Sequence, residues 1–260
     1  MSTLNISLVQ ADLAWHQPEA NREHLQLLMQ SVPQDSDLVV LPEMFSTGFT
    51  MDAVEFAETM DGPSISWMRH RARDMDSAVC GSLIIGEHGQ YLNRFILAEP
   101  DGTLHHYDKR HLFSMAGEHR FFMPGDERVI VEYRGWRICP MICYDLRFPV
   151  WSRNDLDFDL LLYVANWPHR RRLHWQVLGR ARAIENQCYV ASVNRVGTDA
   201  KGFEYAGDSS LVDYSGEVLW CRENVEEVFS ASLEREPMMS YRERFPFLAD
   251  RDSFSIEGSG

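Results

Sequence analysis

Short apolar runs broken by polar turns dominate this chain, and their spacing predicts strands alternating with a few helices. Residues 4–10 alternate well enough for a half-buried first strand. Pro18 can open a helix at its first turn, and Leu25, Leu28 and Met29 give that helix a core-facing stripe. Asp37-Leu38-Val39-Val40-Leu41 reads as a buried strand, stopped by Pro42 because proline cannot continue a ladder. Pro63 opens a second helix carrying Ile65, Met68 and Ala72 at helical spacing. Strands are predicted over 78–85, 91–99 and 103–107, the last beginning after the Pro100-Asp101-Gly102 turn.

Farther along, Arg134-Gly135 joins 128–133 to 136–142 as a hairpin. Residues 160–164 form a continuous apolar strand that ends in Ala165-Asn166-Trp167-Pro168. A helix over 171–187 is expected to turn Leu173, Val177, Leu178, Ala181 and Ile184 inward. Strands over 189–193, 208–212, 218–220 and 228–233 complete the pattern. Parallel crossovers and hairpins together predict mixed sheets covered by helices, without fixing the number of layers.

Three strand ends carry reactive side chains. The run Arg137-Ile138-Cys139-Pro140-Met141-Ile142 stops at Cys143, and Tyr144-Asp145-Leu146-Arg147-Phe148-Pro149 follows. A cysteine opening a turn can project its sulfur into a cleft, with the next backbone N–H groups aimed at a developing oxyanion. Glu43 follows the strand-breaking Pro42, at the carboxyl end where open α/β sheets place ligands. Lys109, in Tyr107-Asp108-Lys109-Arg110-His111-Leu112-Phe113, follows another strand, and Glu118 comes nine positions later. Taken singly, each has an ordinary reading as buried thiol or solvated charge.

Together these motifs resemble the carbon–nitrogen hydrolase (nitrilase) superfamily. The resemblance rests on Leu-Pro-Glu ending at Glu43, Asp-Lys-Arg-His-Leu-Phe around Lys109 and Ile-Cys-Tyr-Asp-Leu-Arg-Phe-Pro around Cys143, and it runs to about Leu233. It implies an α/β fold, a four-layer α-β-β-α sandwich with two mixed β-sheets. It implies one domain over 1–260, with 238–260 as a C-terminal arm or tail, and pairing into a homodimer. By the resemblance Cys143 is the nucleophile, Glu43 the general base, Lys109 the oxyanion-stabilising cation and Glu118 a supporting carboxylate. No cofactor is expected.

That assignment is chemically coherent. A free thiol, with a pKa of about 8.5, needs a base or cation before it attacks. The Lys109 ammonium and the backbone N–H of Tyr144 are the expected oxyanion donors, each typically worth about 3–4 kcal/mol. Cys143-Tyr144-Asp145 differs from the Cys-Trp-Glu usual in true nitrilases, and the motif looks like the Nit and ω-amidase branch. Tyr163-Val164-Ala165-Asn166-Trp167-Pro168 resembles the bacterial ω-amidase subgroup. The expected substrate is the ω-amide of a 2-oxo acid, such as 2-oxoglutaramate or 2-oxosuccinamate, with deaminated glutathione or another amide or nitrile as the alternative. Its carboxylate needs a cation, for which Arg147 and Arg110 are candidates. Phe45 and Trp167 are candidate pocket walls.

Composition narrows the other classes. The formal net charge of −14 argues against nucleic-acid binding, which needs cations on phosphates. No apolar run reaches the ~18–20 residues of a membrane span. Five cysteines, an odd number, fit a reducing cytoplasm. His105, His106 and His111 lie near Lys109, and Cys139 four residues before Cys143, but no metal-binding motif joins them, so no metal is expected. A thiol-redox protein using Cys143, with Cys139 or Cys188 as its second thiol, is the rival from outside the class.

Overall fold

Leu38, Val39 and Val40 show why the chain stacks one sheet on another. The strand they form is buried on both faces. Leu38 and Val40 point into one apolar cluster and Val39 into a second. A strand with two apolar faces must be covered twice. In the computed structural model, which describes residues 3–256, one face is covered by helices and the other by a second sheet.

In chain order the elements are β1 (Thr3–Gln10), α1 (Pro18–Leu28), β2 (Leu38–Val40), α2 (Ala53–Phe56), α3 (Pro63–Met75), β3 (Ala78–Glu87), β4 (Gln90–Ala98) and β5 (Leu104–Asp108). They continue with β6 (Val131–Tyr133), β7 (Trp136–Ile142), β8 (Leu160–Ala165), α4 (Arg172–Asn186), β9 (Tyr189–Asn194), β10 (Val196–Thr198), β11 (Glu204–Val212), β12 (Val218–Glu223), β13 (Glu227–Glu234) and α5 (Arg235–Arg244). The first sheet has the order β13-β1-β2-β3-β4-β5, and the second β10-β11-β9-β8-β7-β6 with β12 paired to β11. Both are mixed: β1, β2 and β3 run parallel, as do β7, β8 and β9, while the flanking pairs are antiparallel. The layers are therefore α1 and α3, the first sheet, the second sheet, and α4. This is the four-layer α-β-β-α sandwich expected from the sequence.

Leu4, Ile6, Leu8, Phe95 and Leu97 of the first sheet share the main core with Ile138, Ile142 and Leu162, which lie on one face of the second. The stripe expected on α1 is in the core beneath the first sheet, with Leu25 and Met29 buried and Leu28 packed against them. Because β2 runs parallel to β1 and β3, and β7 parallel to β8, the carboxyl ends of β2, β7 and β8 can share one end of the sandwich. Glu43 and Asn166 meet there.

Helix α4 corrects the sequence reading. Leu173, Val177 and Ile184 are exposed, and the buried face is Trp175, Gly179, Arg182, Ala183 and Asn186. Hydrogen bonding decides which face turns in. Trp175 Nε1 donates to the Asp208 carbonyl, Arg182 to the Leu146 carbonyl and Asn186 to the Ser152 carbonyl. A buried carbonyl without a donor costs about 1–3 kcal/mol, so a polar face that satisfies three of them outcompetes an apolar face of similar width. Three elements escaped the sequence pattern: the one-turn α2 and the three-residue β10, both too short to show a period, and α5, whose largely charged sequence carries no broad apolar stripe.

The segment from Met238 onward lies partly in α5, with Met238 buried in the main core and Arg242 donating to the Gln187 and Phe158 carbonyls. Gln187 donates in turn to the Phe245 carbonyl. The remainder of the expected arm, 257–260, lies outside the described residues, as do residues 1–2 of the expected domain. No helix among the described residues is long and apolar enough to cross a membrane.

Trp175→Ala is expected to lower unfolding free energy by about 3–5 kcal/mol. Val54→Ala, on the exposed side of α2, should change it by less than about 0.5 kcal/mol. Urea unfolding of both variants checks this, and a loss below about 1 kcal/mol at Trp175 would place the helix on its other face.

Candidate active site

The chain leaves β2 through Leu41 and Pro42 and delivers Glu43, fully buried, at the boundary between the two sheets. Met44, the next residue, has a left-handed backbone (φ 42°), which turns the chain sharply after the carboxylate. Glu43 is held on every side. Its Oε1 accepts from Asn93 Nδ2 and Lys109 Nζ, both at 2.9 Å, and its Oε2 accepts from the backbone N–H of Asn166 at 2.8 Å. Asn166 follows β8, so this last bond ties one sheet to the other. Asn166 Nδ2 also donates to the Glu43 carbonyl.

Lys109 follows β5 and is 1% exposed. Its backbone is clamped by the Asn93 carbonyl and by the N–H of Gly125. Gly125 packs so closely that a Cβ there would stand 2.2 Å from the Asp108 carbonyl oxygen, so no side chain fits. The ammonium reaches Glu43 Oε1 at 2.9 Å and both oxygens of Glu118 at 2.9 and 3.0 Å. Its three protons thus have three carboxylate acceptors. Glu118 is fully buried too, and it accepts from Asn93 Nδ2 and the Phe113 backbone N–H.

Cys143 follows β7 and opens a 3-10 turn, Cys143–Arg147. Its φ of 45° is a left-handed conformation that a non-glycine residue adopts only under constraint. Asp145 supplies that constraint. Buried in the turn, it accepts from the Ile142 and His111 backbone N–H groups and from the Tyr107 hydroxyl. One carboxylate therefore fixes both the cysteine turn and the loop that carries Lys109. The Tyr144 amide lies in the first turn, where N–H groups have no partner within the helix.

Electrostatics follow from these contacts. Burial alone would pull the Lys109 ammonium down, but the charges of Glu118 and Glu43 outweigh it and hold the group well above the usual lysine value. Burial pushes the Glu118 carboxyl up, against the pull of Lys109, and the charge of Glu43 adds to the rise. Cys143 is pushed well up, first by burial, then by the negative charge of Glu43 and its hydrogen bond to that carboxylate, with Lys109 opposing. The resting sulfur is therefore a thiol. It loses its proton only when a base takes it, and Glu43 is within hydrogen-bonding reach.

The residues singled out by their strand-end positions thus converge, although Glu43 and Lys109 are 66 positions apart in the chain. A carbon-nitrogen hydrolase model matches residues 5–243. The chain belongs to the carbon–nitrogen hydrolase family. It is 50% identical to an omega-amidase of Yersinia enterocolitica over 257 residues, covering 98% of this chain and 100% of that one. It is 32% identical to a 2-oxoglutaramate amidase of Bacillus subtilis over 94% of this chain and 96% of the relative. Among solved structures, a CN-hydrolase superfamily protein of Xanthomonas campestris with an arsenic adduct in its active site is 45% identical, with a TM-score of 0.96 over 99% of this chain and 100% of that one.

In this carbon–nitrogen hydrolase Cys143 lies in the wall of a cavity of about 220 Å³. That is below the range of about 300–1,000 Å³ usual for drug-sized ligands, so the site suits a small molecule. Tyr144, Arg147, Trp167, Phe49 and Phe113 line it as well. Phe45 does not. It is fully buried among core residues beneath the first sheet, against Gly81 and 5.8 Å from the Trp67 ring, because the turn at Met44 sends it inward. Arg110 also points elsewhere, donating to the Gly125 carbonyl and lying over Trp151.

Among the described residues no group of three or more His, Cys, Asp or Glu side chains is arranged for a metal. His111 instead stacks on Phe148 at 3.6 Å and bonds Asp145, and His105 pairs with Glu99. Cys139 and Cys188 are buried in the core, where burial raises both thiols, Cys139 to about 12. Neither is disposed to act as a second thiolate.

The sequence reading missed Asn93 and Asn166. Asn166 carried a visible signal, as the polar break after an apolar strand, the same context that marked Glu43. Asn93 carried none, since it lies inside β4 and only the fold brings it between two carboxylates.

Lys109→Met leaves Glu43 and Glu118 without their counterion and is expected to cost about 3–5 kcal/mol at neutral pH. The pH dependence has a definite sign. A carboxyl whose folded pKa lies above its unfolded value of about 4.3 costs stability above that pH, and the cost fades on acidification. The Tm gap between wild type and Lys109→Met should therefore be larger at pH 8 than at pH 5. A gap that grew toward acid would contradict the charge arrangement.

Proposed function

We propose that this enzyme hydrolyses the ω-amide of a small 2-oxo acid, such as 2-oxoglutaramate or 2-oxosuccinamate, through a thioester on Cys143. The observation that carries the substrate class is charge. In a chain of net charge −14, the cavity containing Cys143 is lined by Arg147, Arg170, Arg171 and Lys201 against the single carboxylate of Asp199. That carboxylate is already engaged by the Lys201 and Phe203 backbone N–H groups and the Tyr205 hydroxyl. A cationic cavity on an acidic protein selects an anionic substrate. The omega-amidase and 2-oxoglutaramate amidase relatives point the same way.

The chemistry proceeds on groups already in place. Glu43 takes the thiol proton as the Cys143 sulfur attacks the amide carbon, and the carbonyl oxygen becomes an oxyanion facing the Lys109 ammonium and the Tyr144 N–H. Protonated Glu43 gives its proton to the amide nitrogen, the C–N bond breaks, and ammonia leaves a thioester. Glu43 next deprotonates a water molecule that attacks the thioester carbon. The sulfur leaves, regains a proton, and the carboxylate product departs. Glu118 and Asn93 do not touch the reacting atoms. They hold Lys109 and Glu43 in position.

Two further expectations belong to this reading. The free cysteines at 80, 139, 143, 188 and 221 suit a reducing cytoplasm. Two copies pair through α4, whose exposed Leu173, Val177 and Ile184 form one apolar stripe that a twofold axis would match to itself. Val177→Glu should then convert a dimer to a monomer by size-exclusion chromatography with light scattering. A wild-type monomer would refute the pairing.

Ammonia release from 2-oxoglutaramate, 2-oxosuccinamate, deaminated glutathione, a simple nitrile and an N-carbamoyl amino acid tests the substrate class. One of the first two should exceed the nitrile and the carbamoyl compound by at least about 100-fold in kcat/KM. Deaminated glutathione as the best substrate would replace this reading with its alternative. Cys143→Ala should lose turnover with its fold intact, and wild-type rates in that variant would refute the nucleophile.

A further inference from the structure

The four cations lining the cavity are not equivalent. Arg170 lies over the Phe203 ring at 4.9 Å and Lys201 over the Trp15 ring at 5.2 Å. Arg147 lies over the Trp167 ring at 4.7 Å, and one of its nitrogens is 3.1 Å from His174 Nδ1. Arg170 and Lys201 are exposed, whereas Arg147 and Arg171 are partly buried. Of these two, Arg147 has His174 beside it, while the Arg171 guanidinium lies over the Phe113 ring at 5.1 Å and among the described residues no acceptor takes a hydrogen bond from it.

A guanidinium offers five N–H donors, and leaving them unmet in a partly dehydrated site is unfavourable. The charges around Arg171 point the same way. Burial works against its positive charge, as do Arg170 and Arg147, with Cys143 and Tyr205 opposing. A cation held among like charges without a protein anion is arranged for an anion brought by the substrate. Its position is also fixed. The indole N–H of Trp167 donates to the Arg171 carbonyl at 2.8 Å, and the same indole ring carries Arg147 on its face. Trp167 thereby sets the spacing of both arginines relative to the turn at Cys143.

We propose that Arg171 is the specificity-determining residue of this site, binding the substrate carboxylate in the cavity that holds Cys143, while Arg147 serves as a wall of that cavity. This goes beyond the motif that carries Cys143, which contains Arg147 but not Arg171. It rests on the acid-amide reading above, and the test separates the two.

The experiment compares 2-oxoglutaramate with 4-oxopentanamide, which replaces the carboxylate by a methyl group and keeps the amide end. Both are assayed on wild type, Arg171→Met, Arg171→Lys and Arg147→Met. Wild type should prefer the charged substrate. Arg171→Met should cut that preference, the ratio of the two kcat/KM values, by about 30- to 100-fold, the value of a charge-assisted hydrogen-bond pair. The loss should appear mainly as a raised KM for 2-oxoglutaramate. Arg171→Lys should recover part of the ratio, since a lysine keeps the charge but not the planar fork. A fall confined to Arg147→Met, with the ratio of Arg171→Met like that of wild type, would overturn the assignment. So would equal losses on both substrates in Arg171→Met, because a merely structural arginine would act that way. No wild-type preference for the charged amide would instead sink the acid-amide reading, and this proposal with it.

Discussion

A lysine ammonium buried between two carboxylates is the constraint around which this molecule is arranged. Dehydrating three charges costs several kcal/mol for each, and only near-complete hydrogen bonding offsets it. The structure meets that demand from both sheets. Asn93 in β4 spans the two carboxylates, Asn166 after β8 caps Glu43, and the Phe113 amide caps Glu118. The site can exist only if the two sheets stack with the ends of β2 and β8 together, so the fold and the cluster depend on each other. The cluster also decides the chemistry. Burial first, and then the charge of Glu43 against the opposing Lys109, keeps the Cys143 sulfur protonated and makes a base necessary.

Much of this was legible from the chain because the informative signals are local. An apolar strand that ends in proline and then glutamate, or in cysteine at a turn, announces itself within a few residues. Such signals marked Glu43 and Cys143, while Lys109 and Glu118 followed from their spacing within a resembling motif. The layers followed from the same strands once the resemblance was drawn, and the comparisons with known proteins show the family. Signals that depend on assembly were not legible. Asn93 looks like one more residue of β4 until β5 and the Glu118 loop fold over it. Arg171 looks like one of three consecutive arginines until Arg172 pairs with Asp208, Arg170 lies exposed over Phe203, and Arg171 is left partly buried in the cavity wall with no acceptor among the described residues.

Helix α4 shows where periodicity misleads. Its apolar stripe and its polar-aromatic stripe share one period, so hydrophobicity alone favours burying leucine and isoleucine. The segment after β7 and strand β11 itself present carbonyls that need donors, and Trp175, Arg182 and Asn186 answer them. The helix thereby braces the Cys143 turn, since Arg182 holds the carbonyl of Leu146 within it. Phe45 teaches a related lesson. Adjacency to a catalytic-type residue does not place a side chain in the cavity when a left-handed turn intervenes.

The central claim is that the sulfur at the end of β7 becomes acylated, with Glu43 as the base that loads and unloads it. Single turnover with enzyme in excess over 2-oxoglutaramate, acid-quenched at successive times and followed by peptide mapping, tests this directly. The account predicts an acyl mass on the peptide containing Cys143 that rises as ammonia appears and then decays as free acid forms. Ammonia and acid appearing together while an acyl group accumulates on another residue would contradict it.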